Sequence, residues 1–422
     1  MKWIQRCTLI VALLPSLGVL VLAGNSVYTP WSGGGDTREY FEIAQHIAAG
    51  DGYTFAHEPT AFRAPMYPLL LASLMRVSSR HWPILLRILQ FGIFVATALM
   101  CGELAARWFG DECGIPAAAL VLLFPTMLFF SGQILTECVA ALLVVAFWLT
   151  LDAALTHAKV SSFIFLGALA GLAALERFNM LPLIPFGALL ALGCGLKDTM
   201  SWKKAGVALL AGVLVLSPWI IHNEIAFHGQ ASYSTHGGFA AVEGVIMPLG
   251  RTQPGETYAI ENALGWGNWD VETDNPARPE LRDEAALNKQ ASLVAWDLWS
   301  HVGWHAIPLL TEKVSAFWLS TDQIFRTGSL SVRGRLVRVA GVAVYLIALA
   351  LAVRSWLRLR DSKPVLARSL ILYALLLTTF HLPLTMNTRL RVPLFEPLIS
   401  TLAAAAGVQA VRRLAANPRL PL

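Results

Sequence analysis

"GGGDTREYFEIAQHIAAGDGYTF", residues 33–55, comes directly after the first long apolar run of the chain, at about 7–24. Within it Tyr40, Ile43, Ala44, Ile47 and Ala48 recur at helical spacing and form one apolar face. Arg38, Glu39, Glu42, Gln45 and His46 fall largely away from that face, and Gly50 and Gly52 stop the helix. An amphipathic helix next to an apolar span is expected to lie flat at a membrane surface, apolar face down. Asp36-x-x-Glu39 at its start is also a capping-box-like pattern, with Asp36 satisfying free N–H groups and Glu39 reaching back.

The rest of the chain supports a bilayer as its solvent. Of 422 residues, 56% are hydrophobic and 14% are charged, whereas soluble domains carry about 25% charged residues. The net charge of +5 does not point to nucleic acid, because the basic residues lie mostly between apolar runs. The five cysteines (Cys7, Cys101, Cys113, Cys138 and Cys194) sit in or beside apolar runs, which argues against a disulfide framework.

A helix crossing about 30 Å of hydrocarbon needs roughly 17–25 apolar residues. Ten runs qualify: about 7–24, 83–106, 114–130, 137–156, 162–175, 179–195, 205–222, 336–353, 366–381 and 391–411. The run at 66–75 is too short and reads as an interfacial or re-entrant helix. Residues 281–320 have helical apolar spacing with polar faces, so they read as an interfacial pair within a moderate outer loop at 223–335. The first run also has the basic start, apolar centre and small-residue end of a signal peptide. Lys and Arg crowd the loops at Arg107, Lys159, Lys203, Lys204, Arg358, Lys363 and Arg412, which places those loops in the cytoplasm and residue 36 outside it. The expected architecture is an all-α polytopic membrane protein of about ten spans in a plasma or inner membrane.

Several polar residues are out of place on that map. Glu137 stands at the outer end of the fourth run, and a carboxylate at the hydrocarbon margin marks a functional site by default. Arg63, between Asp36 and the 66–75 segment, is either a snorkelling anchor or a phosphate ligand. Arg87, Arg177, Arg326, Arg333, Arg335, Arg338, Arg389 and Arg391 face outward against the positive-inside tendency, which a phosphate-bearing lipid would explain.

These pieces stand in an order that resembles a known group. "FRAPMYPLLLASL" at 62–74, "FPTMLFFSGQILTE" at 124–137, "LERFNMLPLIP" at 175–185, "SPWIIHNEIAFHG" at 217–229 and "RLRVPLFEPLIS" at 389–400 accompany the opening stretch. Together they resemble the lipid-carrier-dependent glycosyltransferases of the GT-C superfamily, of the family 39 and aminoarabinose-transferase type. The resemblance implies a GT-C fold and a catalytic carboxylate at Asp36. It implies that Glu137 lines the same cavity, where Asp36 and Glu137 are candidate ligands for a divalent cation, and that Arg63 meets the lipid phosphate. The chain departs from the pattern at Thr37, where some branches have a second acid, and at "IHN", where Arg-Asn is commoner.

The resulting expectation is a hexosyl- or pentosyltransferase that moves a sugar from a polyprenyl-phosphate donor to an acceptor hydroxyl of a glycan, lipid or protein. Asp36 would act as general base with inversion, and Arg63, Arg177, Arg389 and Arg391 would bind the donor phosphate. Tyr40, Tyr67, His222 and His236 would line the acceptor cavity. Residues 1–222, with the first outer loop at 25–82, form the catalytic part; 223–335 is the periplasmic loop and 336–422 the C-terminal helices. The alternative from another class is a flippase for lipid-linked sugars, although the inverted repeats common in transporters are missing from the sequence.

Overall fold

The computed structural model describes residues 2–23, 34–193, 199–249, 284–320 and 332–416. It is a bundle of helices whose chain runs back and forth between two ends. α1 (Lys2–Ala23) precedes the short α2 (Gly34–Ala49) and α3 (Met66–Val77), with a two-residue hairpin of β1 (Thr54–Phe55) and β2 (Glu58–Pro59) between them. α4 (Trp82–Phe109) leads to α5 (Gly114–Leu123) and α6 (Pro125–Ser131), then α7 (Glu137–His157) and α8 (Val160–Glu176). α9 (Leu183–Gly193) and α10 (Thr199–Ala226) follow, then α11 (Gly237–Leu249), α12 (Glu284–His301) and α13 (Ala306–Leu319). α14 (Val332–Ser362), α15 (Pro364–His381) and α16 (Thr388–Ala416) complete the order.

The ten apolar runs are largely helical in their described parts. Among the described residues six helices are long and apolar enough to cross a membrane: α4, α7, α10, the Val339–Ser362 part of α14, α15 and the Thr388–Arg413 part of α16. A seventh arises if α5 and α6 count as one, although the pair is bent by 63°. Pro125 breaks it, having no N–H to continue the helix and pushing Phe124 into an extended conformation. The run at 162–175 gives a shorter apolar helix, and within the described residues of the runs at 7–24 and 179–195 the apolar stretches are Cys7–Val21 and Phe178–Leu192. α8, with 17 residues, rises only about 26 Å before Arg177 leaves the helical conformation. The segments expected to be interfacial are helical, as α2, α3 and the α12–α13 pair.

Small residues set the closest packing. Gly167 and Gly171 on α8 face Ala208 and Gly212 on α10, and a Cβ at Gly167 would come within 1.9 Å of the Ala208 carbonyl oxygen. This small-xxx-small contact lets two backbones touch, which is how apolar helices gain dispersion energy where no water drives them together. α16 packs against α4, α5 and α7, so the C-terminal helices are built into the N-terminal bundle. The starts of α7 and α16 and the end of α8 thereby reach the same end as α2. Arg107, Lys363, Arg412 and Glu112 meet at the other end, through the Lys363–Arg107 contact and the Arg412–Glu112 pair.

Candidate active site

The site grows from the first turn of α2. Asp36 is the third residue of that helix, where the helix dipole favours a carboxylate. The capping-box expectation gives way to another arrangement, because the helix already starts at Gly34 and both acids turn to arginine. Asp36 Oδ1 accepts from Arg63 Nη2 at 2.5 Å, and Glu39 Oε2 accepts from Arg63 Nε at 2.5 Å. Asp36 Oδ2 accepts from Arg389, which also donates to Glu137. Glu137 in turn pairs with Arg177 at 2.9 Å, and Arg177 donates to the Thr136 hydroxyl at 2.8 Å. Acids and bases therefore alternate along one chain, Glu39–Arg63–Asp36–Arg389–Glu137–Arg177, drawn from α2, the loop before α3, the start of α16, the start of α7 and the end of α8.

Exposure grades along this chain. Glu137 is 1% exposed, whereas the Asp36 and Arg389 side chains retain 27% and 26%. The middle of the network is thus the part open to a ligand. Burial alone would push the Asp36 carboxyl up, but the Arg63 and then the Arg389 guanidinium outweigh it and hold the group well below the usual carboxylate range. Arg63, lying 5.5 Å over the Tyr40 ring, is held well above its ordinary value by Asp36 and Glu39 despite burial. His236, edge-on to Phe62 with centroids 4.5 Å apart, is pushed down to about 3 by burial and by Arg63, so it is neutral.

The other sequence-derived candidates divide. Tyr40 packs edge-to-face on Tyr67 at 5.3 Å, and buried Tyr67 accepts from Gln90 at 3.3 Å, directly behind the ionic chain. His222 lies further off, stacked on Trp219 at 5.2 Å and bonded to Asn223. Arg391 does not join Arg389. It is fully buried against Glu396 at 2.9 Å and the Phe317 carbonyl at 2.7 Å, with Tyr345 3.8 Å from its guanidinium carbon. Arg87 is also buried, donating to the Gly132 carbonyl. Arg326 and the side chains of Arg333, Arg335 and Arg338 lie outside the described residues.

With this geometry in place, the likeness to known proteins is informative. Residues 62–222 match the family model described as dolichyl-phosphate-mannose-protein mannosyltransferase, a stretch that includes Arg63, Glu137 and Arg177. No curated protein matches the sequence. Among solved structures, the Archaeoglobus fulgidus oligosaccharyltransferase in complex with Zn and sulfate aligns over 96% of this chain and 49% of its own, at 16% identity and TM-score 0.55. The same archaeal enzyme, AglB, in complex with an inhibitory peptide and a dolichol-phosphate aligns over 100% and 52%, at 14% identity and TM-score 0.56. The fold is shared with this archaeal oligosaccharyltransferase. This chain spans about half the length of those archaeal chains. ArnT from Cupriavidus metallidurans bound to undecaprenyl phosphate aligns over 100% and 81%, at 14% identity and a TM-score of only 0.42.

The site bears on two points of the sequence reading. Asp36 and Glu137 were candidate metal ligands, yet among the described residues no three His, Cys, Asp or Glu side chains come together. Each of the two carboxylates is met by two guanidiniums, which a divalent cation would have to displace, so the arrangement does not fit a resident metal. Glu39, which the helical pattern turns away from the apolar face, is buried at 4% exposure. Its signal was available: residues three and four apart share a helix face, so Asp36, Glu39 and Tyr40 belong together.

Proposed function

We propose that this multi-pass membrane protein transfers a sugar from a polyprenyl-phosphate donor to an acceptor hydroxyl at the non-cytoplasmic face of a plasma or inner membrane. The observation that carries the reading is the alternating ionic chain centred on Asp36, where carboxylates and arginines from five separate segments share one network. The GT-C fold and the family match at 62–222 support it.

The chemistry asks for three things: a base for the acceptor hydroxyl, charge to stabilise the departing phosphate, and alignment of the two. Asp36 serves as the base, and Arg63 and Arg389 take the phosphate through charge-assisted hydrogen bonds. In the free protein these same arginines suppress the basicity of Asp36. A donor phosphate competes for their N–H groups, and each one it takes raises the proton affinity of Asp36 toward the range a general base needs. Direct displacement by the hydroxyl inverts the anomeric centre. Arg177 holds Glu137 behind Arg389, and Tyr40 with His236 walls the pocket in which the acceptor sits.

The decisive test is to incubate the purified chain with polyprenyl-phosphate sugars and an acceptor mixture and to follow free polyprenyl phosphate. Its release together with an inverted glycoside is expected. A protein that moves the intact lipid-linked sugar between leaflets without releasing polyprenyl phosphate is a flippase, and the transferase reading then fails. Transfer is expected to persist after exhaustive chelation.

A further inference from the structure

Among the described residues, the segment between α10 and α14 contributes none to the ionic chain, yet it buries two charges of its own. Glu284, the first residue of α12, is 5% exposed, and Lys313 on α13 is fully buried. Each is bonded to the backbone of a stretch that delivers one of the two arginines around Asp36.

On one side, Glu284 Oε1 accepts from the Ala61 N–H at 2.9 Å and from the Thr235 hydroxyl. The Thr235 N–H donates to the Ala61 carbonyl at 3.1 Å, so both main-chain groups of Ala61 are held two residues ahead of Arg63. On the other side, Lys313 Nζ donates to the Leu384 and Gly244 carbonyls, each at 2.7 Å, with the Trp299 ring 5.4 Å away. The Thr385 N–H donates to the Ala240 carbonyl at 2.8 Å, and its hydroxyl donates to Glu243 at 2.6 Å. The Thr388 hydroxyl donates to the Ser320 carbonyl at 3.0 Å, one residue before Arg389. At Gly244 the fit is so close that a Cβ would lie 2.6 Å from the Leu384 carbonyl carbon.

A buried ammonium bonded to carbonyls, with no carboxylate paired to it among the described residues, is an expensive way to join two loops. Burial pushes Lys313 down to about 8, which records that cost. Two guanidiniums converging on one carboxylate also repel each other, so their spacing has to be imposed from elsewhere. We propose that Glu284 and Lys313 are positioning residues: α11, α12 and α13 form a clamp that fixes the backbones carrying Arg63 and Arg389. The clamp grips main chain and leaves the guanidinium tips free to turn from Asp36 to a phosphate. The proposal rests on the reading that these arginines take the donor phosphate.

The test uses the full-length chain in detergent and undecaprenyl phosphate as the probe. Affinity is measured together with amide hydrogen exchange over 60–63 and 383–389, for Lys313→Met, Glu284→Ala and Glu284→Gln. Lys313→Met is expected to speed exchange in 383–389, Glu284→Ala in 60–63, and both to weaken binding about tenfold or more, because small misplacements at such sites are costly. Glu284→Gln keeps the acceptor oxygen and restores both readouts, whereas a role for the charge itself would leave it impaired. The Glu284 pair keeps the test decisive if Lys313→Met does not fold. Variants that bind like the wild type despite a loosened stretch, or that exchange faster throughout the bundle, overturn the clamp. A wild-type chain that binds no undecaprenyl phosphate overturns the donor reading itself, and that result is distinguishable from the others.

Discussion

The two ends of the bundle use the same residue types to opposite effect. At the Asp36 end, Arg177, Arg389 and Arg63 are enclosed, and each carboxylate they meet is shared or buried. At the other end, Arg107 pairs with Glu103 at 2.7 Å across side chains that are 41% and 53% exposed, and Arg412 with Glu112 at 57% and 26%, although Arg107 and Lys363 also lie 3.7 and 3.8 Å from the largely buried Asp152. Ion pairs in water contribute little, whereas enclosed ones cost desolvation and are destabilising to break. Charge at the other end is spread over mostly exposed pairs, while charge at the enclosed end is arranged around one half-open carboxylate. The difference lies in burial, since the composition of the two ends is alike.

That contrast can be broken by substitution. The largest effect is expected from Asp36→Asn, which keeps shape but removes the base: sugar transfer should fall by at least about 100-fold while the protein still inserts and folds. A fully active variant would end the general-base assignment. Next is Glu137→Gln, which leaves Arg177 and Arg389 facing a neutral group at a 1% exposed position. The expected loss is about 3 kcal/mol of stability, read as a lowered midpoint of thermal unfolding in detergent.

Acid should act more gently, and at the enclosed end alone. His236 is held at about 3 against an ordinary 6.5, so on lowering the pH the unfolded chain takes up a proton that the folded one refuses. Stability should therefore decline progressively as pH falls from 6.5 toward 3, and Asp36, also held low, adds its own loss below the ordinary carboxylate range. In a pH series of unfolding midpoints, His236→Gln should flatten the upper part of this decline. The smallest effect belongs to the exposed end: Glu103→Gln should change stability by no more than about 0.5 kcal/mol. A larger change there would mean that exposure is not what separates the two ends.

Much of this was legible in the sequence. The capacity to span, the side carrying Lys and Arg, and the neighbourhoods of Asp36, Arg63 and Glu137 follow from local hydropathy and from charges standing where hydrocarbon makes them costly. The bend at Pro125 and the helix end at Arg177 were less legible, because apolar composition reports what can enter a membrane and not where the chain breaks. The Glu39 pairing was missed for a related reason. A helical wheel turns that residue from the apolar face, but its polar partner Arg63 comes from a separate loop that closes over it.

Arg389 and Arg391 mark the boundary most sharply. By sequence they are equivalent outward arginines two positions apart. On a helix two positions are about 200° apart, so one reaches Asp36 and Glu137 while the other is committed to Glu396 inside the bundle. The sequence alone determined that this is a membrane chain with a carboxylate and several arginines at one surface, because those properties depend on composition and short-range spacing. Only the tertiary structure decided which guanidiniums share that carboxylate, because the partners come from opposite halves of the chain and meet only when α16 packs among the first helices.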